Sequence, residues 1–225
     1  MPDTPPAKGW PALLLTALAL AGGAVWLFGQ ALVDATEYPD YSTLNAAPTG
    51  TRLLHDALSS ILPTHRLFEP GILPNAALFR IGVPRFRALD QWDFDFVAAG
   101  GRLIQTFEGI PPDRHDPGTN GWRVAADLSI TVLTNLSETA RAGAWADALP
   151  WHSAAVFRID PEALPNWQTR YTLDGHPVVV ESHFFDGSVI LATDSFFLSN
   201  EALAKSLGAA LPAALVGSAG SVFFD

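Results

Sequence analysis

The chain of 225 residues contains no cysteine. That absence removes disulfides, thiolate metal sites and a cysteine nucleophile together, and leaves the compartment open, since cysteine-free proteins occur on both sides of a membrane. Basic residues are scarce as well: 13 Lys and Arg against 23 Asp and Glu give a formal charge of −10. Nucleic acid is therefore excluded as a partner, because a phosphate-binding surface needs clustered Lys and Arg. An acidic domain also gains nothing from an anionic membrane surface. The sequence has no internal repeat, no low-complexity tract and no G-x-S-x-G elbow. Its histidines, His55, His65, His115, His152, His176 and His183, show no H-E-x-x-H or other metal spacing. Neither a metal nor a cofactor is expected.

Apolar side chains are what the chain does have, at 48% with only 16% charged. Gly9–Val33 is an uncharged, mostly apolar run, and about 20 such residues suffice for a transmembrane helix. A cleaved signal peptide is the alternative, but its apolar core would be shorter. Lys8 precedes the run and no Lys or Arg follows until Arg52, which orients residues 1–8 to the cytoplasm and the rest outside the cell membrane. Asp34–Pro48 reads as a polar, extended link, and 49–225 as one domain.

Within that domain, Thr49–Leu62 carries leucines at helical spacing up to Pro63. His65–Phe68 and Ala76–Ile81 read as strands. Asp90 is placed to cap a helix over Gln91–Ala99, which Gly100-Gly101 stops before the strand Arg102–Phe107. This alternation predicts an α/β fold, a mostly parallel sheet with helices on both faces. Ile110–Gly121 is a loop, Leu128–Leu133 a strand and Glu138–Leu149 a short helix. Ala154–Ile159, Gln168–Leu173, Pro177–Phe184 and Val189–Ala192 follow as strands, with Asp174-Gly175 and Asp186-Gly187 as hairpin turns that add an antiparallel ribbon. Helical spacing resumes over Ser199–Leu211, Pro212 interrupts it, and Ser221–Phe224 is a last strand. A buried strand with nothing after it suggests a truncated product.

Chemistry has few places to reside. Asp113-Arg114-His115-Asp116 is a polar knot in a Pro/Gly loop, with too little ligand geometry for a cation site. Asp93 and Asp95 would point to different faces of their helix and suit its first turn. Val189–Leu203 (VILATDSFFLSNEAL) packs a strand, a polar elbow and a helix start into one stretch. Ligands in open α/β sheets bind at the carboxyl ends of strands, near a switch in strand order. The candidate ligand-binding residues are accordingly Asp194, Ser195 and Asn200, with Glu108 from another strand end. The plainer account is that Ser199 or Asn200 caps the helix while the phenylalanines wedge the turn onto the core.

Three blocks recur in order in one known family: YSTLNAAPTGTRLLHDAL (Tyr41–Leu58), FVAAGGRLI (Phe96–Ile104) and PVVVE…GSVILATDSFFLSNEAL (Pro177–Leu203). Together they resemble the bacterial membrane-anchored family of the domain of unknown function numbered 4350. That domain looks like a divergent class-I glutamine amidotransferase-like domain, so the resemblance implies an amidotransferase-like, flavodoxin-like architecture. Amidotransferases of that superfamily use a cysteine nucleophile activated by His and Glu, and this chain has none. The family continues past the equivalent of Val222–Asp225 to a second membrane span, which fits the truncation reading. Relatives are often encoded beside MoxR-type ATPases and other envelope proteins. Three functions follow as expectations: a catalytically degenerate interaction or sensing module, a hydrolase or small-molecule-binding enzyme working at Asp194-Ser195, and a purely structural subunit of a membrane complex.

Overall fold

The computed structural model describes residues 38–66, 74–84, 87–111, 121–133, 136–137, 139–141, 148–160, 167–207 and 210–225. The expected span 9–33, the knot 113–116 and most of the loop 110–121 lie outside them. Among the described residues no helix is long and apolar enough to cross a membrane.

A nine-stranded sheet organises the chain. Five strands at one side run parallel, in the order β1 (Thr64–Arg66), β12 (Ser221–Phe224), β2 (Ala76–Val83), β3 (Arg102–Phe107), β11 (Gly187–Ala192). From β11 the sheet continues antiparallel through β10 (His176–Phe184), β9 (Trp167–Leu173), β6 (Thr139–Arg141) and β7 (Ala148–Pro150). A separate antiparallel sheet holds β4 (Trp122–Ala125), β5 (Leu128–Val132) and β8 (Ala155–Ile159). The fold is thus mixed α/β with five parallel strands at one side of the main sheet, as the alternation of elements predicts.

Both faces of β3, β11 and the first part of β2 are buried, which is why β11 reads as an unbroken apolar run. Successive side chains alternate between two cores. Ala77, Phe79, Ile104, Ile190 and Ala192 pack beneath Leu54 and Leu58 of α1 (Arg52–Ser59) and Leu211 and Leu215 of α4 (Ala210–Val216). Ala76, Leu78, Leu103, Val189 and Leu191 face Phe96 and Val97 of α2 (Gln91–Ala98) and the small sheet's Val124, Leu128 and Ile130. After the elbow, α3 (Asn200–Ala202) runs into a wide turn over Leu203–Leu207. Pro212 lies in the first turn of α4, where its missing N–H costs no intrahelical bond. The last strand sits inside the sheet, between β1 and β2.

Two expectations need correcting, and one strand is an addition. Glu138–Leu149 was expected to be a helix, but Thr139–Arg141 and Ala148–Pro150 pair as antiparallel strands. Ala140 and Leu149 are buried there, and ladder pairing onto β9 overrides the weak helical preference of an alanine-rich run. The small sheet's first strand, Trp122–Ala125, is the addition. The described part of the link, 38–48, is folded rather than extended: Tyr41 N–H donates to Thr49 O, and Ser42 O accepts from Asn45 and Thr51.

Candidate functional site

Strands β3 and β11 are neighbours whose connections leave on opposite faces. The chain after β3 enters the small sheet on the α2 side, and the chain after β11 enters α3 and α4 on the other. Their carboxyl ends therefore form a switch point, where open α/β sheets bind ligands. Ser195 and Asp194 arrive there, but both turn inward.

Ser195 is fully buried. Its hydroxyl donates to Phe107 O at 2.8 Å and accepts from the backbone N–H of Gly82 at 2.9 Å. Thr106 Oγ1 stands 2.6 Å away, and because the Ser195 proton is committed to Phe107 O, Thr106 is the donor in that contact. One hydroxyl thereby ties the ends of β2, β3 and β11 together. Among the described residues none of its partners is an imidazole, the group that would activate it as a general base.

Asp194 is 1% exposed. Its carboxylate accepts from the backbone N–H groups of His152 at 2.5 Å and Phe196 at 3.0 Å. Burial raises its pKa, and those N–H bonds only partly offset the effect. The imidazole of His152 lies stacked on Phe196, ring centroids 3.6 Å apart. Space beside Asp194 is tight: a Cβ at Gly109 would stand 2.9 Å from Asp194 Oδ1.

Asn200 points away from the crevice. Its Oδ1 accepts from Leu53 N–H in the first turn of α1 at 2.7 Å, and its Nδ2 donates to Asn45 O and Ala47 O at 3.0 and 2.7 Å. It caps a helix far away in sequence, while Ser199 caps its own by accepting from Ala202 N–H. Two of the blocks that carry the family resemblance, Tyr41–Leu58 and Pro177–Leu203, are thus bonded to each other. Glu108 is exposed, with its backbone N–H on Val83 O. Its carboxylate acts at a distance on Tyr41, whose phenol is pushed up in pKa by burial first and then by the charges of Asp194, Asp40 and Glu108.

Tyr41 leads to what the sequence reading missed. It holds a positive φ of 62°, an uncommon backbone for a bulky residue, and its ring lies against Gly82, where a Cβ would come within 2.6 Å. Beside it opens a cavity of about 400 Å³ over the carboxyl ends of β1, β12 and β2. Residues 39–44 line it together with Arg66, Ile81, Gly82, Phe224 and Asp225. Volumes of this order hold small ligands. The signal for it in the sequence was the polar character of 38–48, which on its own reads as a linker.

Behind Asp225 stands a buried charge network. Arg80, 5% exposed, gives Nη1 to Asp93 and Nε to Asp225 Oδ2 at 2.8 Å, and lies 5.1 Å from the Trp92 ring centroid. Asp93 also completes a capping box with Asp90, and Asp95 accepts from Gln91. Both acids are spent on the helix and its neighbours. Among the described residues no group of three His, Asp or Glu is placed to hold a metal.

No family model matches the chain, and no curated protein matches it. Among solved structures, the β-galactosidase from Rahnella sp. R3 shares 18% identity with a TM-score of 0.35, covering 58% of this chain and 22% of that one. A likeness at that TM-score carries no argument about activity.

Proposed function

We propose that the chain is a membrane-tethered, catalytically degenerate amidotransferase-like domain that serves as an interaction or sensing module in a bacterial envelope complex. The observation that carries this reading is the set of bonds made by Ser195. Where an enzyme of this architecture would present a nucleophile at a strand–helix elbow, the hydroxyl here is consumed in joining three strands. Asp194 and Asn200 are likewise committed to backbone groups. The alternative, a hydrolase working at Asp194-Ser195, needs a base on Ser195, and its partners are a backbone amide, a backbone carbonyl and a threonine. The apolar run Gly9–Val33 supplies the tether, and the resemblance supplies the expected company, other envelope membrane proteins with a MoxR-type ATPase among them.

The test is purification of the tagged full chain from detergent-solubilised membranes at near-native expression. A stoichiometric protein partner is the expected result. Recovery as a lone monomer counts against both the module and the structural-subunit reading.

A further inference from the structure

Residues 39–51 close on themselves. Tyr41 N–H donates to Thr49 O and Thr51 N–H to Ser42 O, both at 3.0 Å, and Thr51 Oγ1 donates to Tyr41 O at 2.8 Å. Asn45 ties the interior, its Nδ2 on Tyr38 O and Pro39 O and its Oδ1 on Ala47 N–H. The closure is tight: a Cβ at Gly50 would fall 1.9 Å from Asn45 O. A compact surface segment with neighbouring ends, packed by its own groups, is an Ω-loop. These bonds lie within the loop, so it can move as one piece.

Its hold on the domain is of another kind. The buried side chains of the loop, Asn45 and Thr51, are polar, and no residue of this described segment is part of either apolar core. Asn200 and Glu201 give backbone N–H groups to Gly50 O and Pro48 O at 2.7 and 3.0 Å, while Asn200 Nδ2 reaches Asn45 O and Ala47 O. Arg66 donates to Thr43 from the side of β1. The latch is Tyr41 on Gly82. Both hold a positive φ, 62° and 71°, and a Cβ at Gly82 would collide with the Tyr41 ring. A bulky residue in the left-handed region persists only where its surroundings hold it there, and undocking lets Tyr41 relax. Segments held with few buried apolar contacts open at the low end of a protein's stability range.

We propose that residues 39–50 are a lid on the elbow, hinged at Thr51, which opens as one body while the seal beneath it stays shut. Open, it uncovers Gly82 and frees the N–H groups of Asn200 and Glu201. Ser195 keeps Gly82 N–H, and Asn200 Oδ1 keeps Leu53 N–H. Tyr38, just ahead of the lid, follows the apolar run Gly9–Val33 by five positions, so a pull or a partner at that run reaches the lid before the rest of the domain. The docked and undocked lid are the two states a sensing module needs, and in this the inference rests on the tethered-module reading above.

Amide exchange of the full chain in detergent, resolved to single residues by fragmentation mass spectrometry, tests it. Glu201 N–H is the reporter, because its acceptor, Pro48 O, belongs to the lid. Its protection factor is expected to lie roughly 100-fold below those of Gly82 and Leu203, whose partners, Ser195 and Ser199, stay in place. Asn200→Asp keeps an acceptor for Leu53 N–H but withdraws both Nδ2 bonds from the lid. Tyr41→Gly removes the ring at a position whose φ glycine accepts. Each variant should lower Glu201 protection about tenfold further and leave Gly82 within about twofold of the parent. A Glu201 amide that opens only together with Gly82 overturns the lid, and so does loosening of Gly82 as large as that of Glu201 in both variants. Co-purification reports separately on the module. A lone monomer whose Glu201 opens selectively loses the module and keeps the lid. A stoichiometric partner on a chain whose Glu201 opens only with Gly82 keeps the module and loses the lid.

Discussion

Over β3 and β11 the carboxyl edge of the sheet is closed by the chain's own side chains, whereas over β1, β12 and β2 it stays open beneath residues 39–44. In the closed region the strand–helix connection is short, so Asp194 and Ser195 fall within reach of backbone groups near the strand ends and the elbow. They bond to Gly82 N–H, Phe107 O, His152 N–H and Phe196 N–H. In the open region the roof belongs to a separate segment, held through Asn200, Thr49 and Thr51, and its charged side chains keep unshared atoms. A switch point is a place where polar groups converge, and whether they converge on a ligand depends on whether the chain has already used them.

Substitutions separate the two regions by size of effect. The largest is expected at Ser195→Ala, which removes the buried hydroxyl that joins Gly82 N–H, Thr106 and Phe107 O; about 3 kcal/mol of stability should be lost, read as the urea midpoint at constant slope. Asp194→Ala strands two further N–H groups but relieves a buried charge, so a loss of about 2 kcal/mol is expected from the same measurement. A cost near zero there would mean that the carboxylate faces a ligand site instead. Asn200→Ala removes a cap and two carbonyl contacts, and about 1.5 kcal/mol should go, with the leading segment becoming more sensitive to protease. At the open cavity, Asp40→Asn should stay within about 0.5 kcal/mol of the parent in the same melt.

A pH series sharpens the contrast with a third region. Asp194 has a raised pKa in the folded state, chiefly through burial. The folded chain therefore holds that proton more tightly than the unfolded one. The stability this contributes is complete below the unfolded value of 3.8 and is lost as pH rises through the raised one. Glu181 behaves in the opposite sense. Burial works upward on it, but Arg102 at 2.7 Å and Arg170 at 2.6 Å outweigh burial and leave its pKa lowered. Its contribution is complete above the unfolded value of 4.5 and is lost as pH falls through the lowered one. Urea unfolding of Asp194→Asn and Glu181→Gln across acid to neutral pH should flatten opposite limbs of the stability profile. Identical profiles would refute both assignments.

Much of the fold was legible because it rests on local signals. Asp90 capping α2, Gly100-Gly101 closing it, Ser199 capping α3 and the two Asp-Gly hairpins all act within a few residues. The strands buried on both faces were legible from their unbroken apolar runs. The segment 138–149 was misread because its alanines favour a helix in isolation, and only pairing onto β9 and burial of Ala140 and Leu149 make strands of its ends. The elbow was located correctly in sequence, yet its chemistry depended on Gly82, Thr106 and Phe107, about a hundred residues upstream. The cavity was hidden for the same reason: Asp40, Arg66 and Asp225 come to line one cavity only after β12 inserts between β1 and β2.

The central claim is that the switch point is sealed by the chain itself. Native-state amide exchange at Gly82 addresses it most directly, since this N–H bonds to a side chain, Ser195 Oγ, and not to a strand neighbour. The account predicts exchange close to the slowest amides of β3 and β11 in the parent, accelerating by at least tenfold in Ser195→Ala. Fast exchange at Gly82 in the parent, or a rate that Ser195→Ala leaves unchanged, would contradict it.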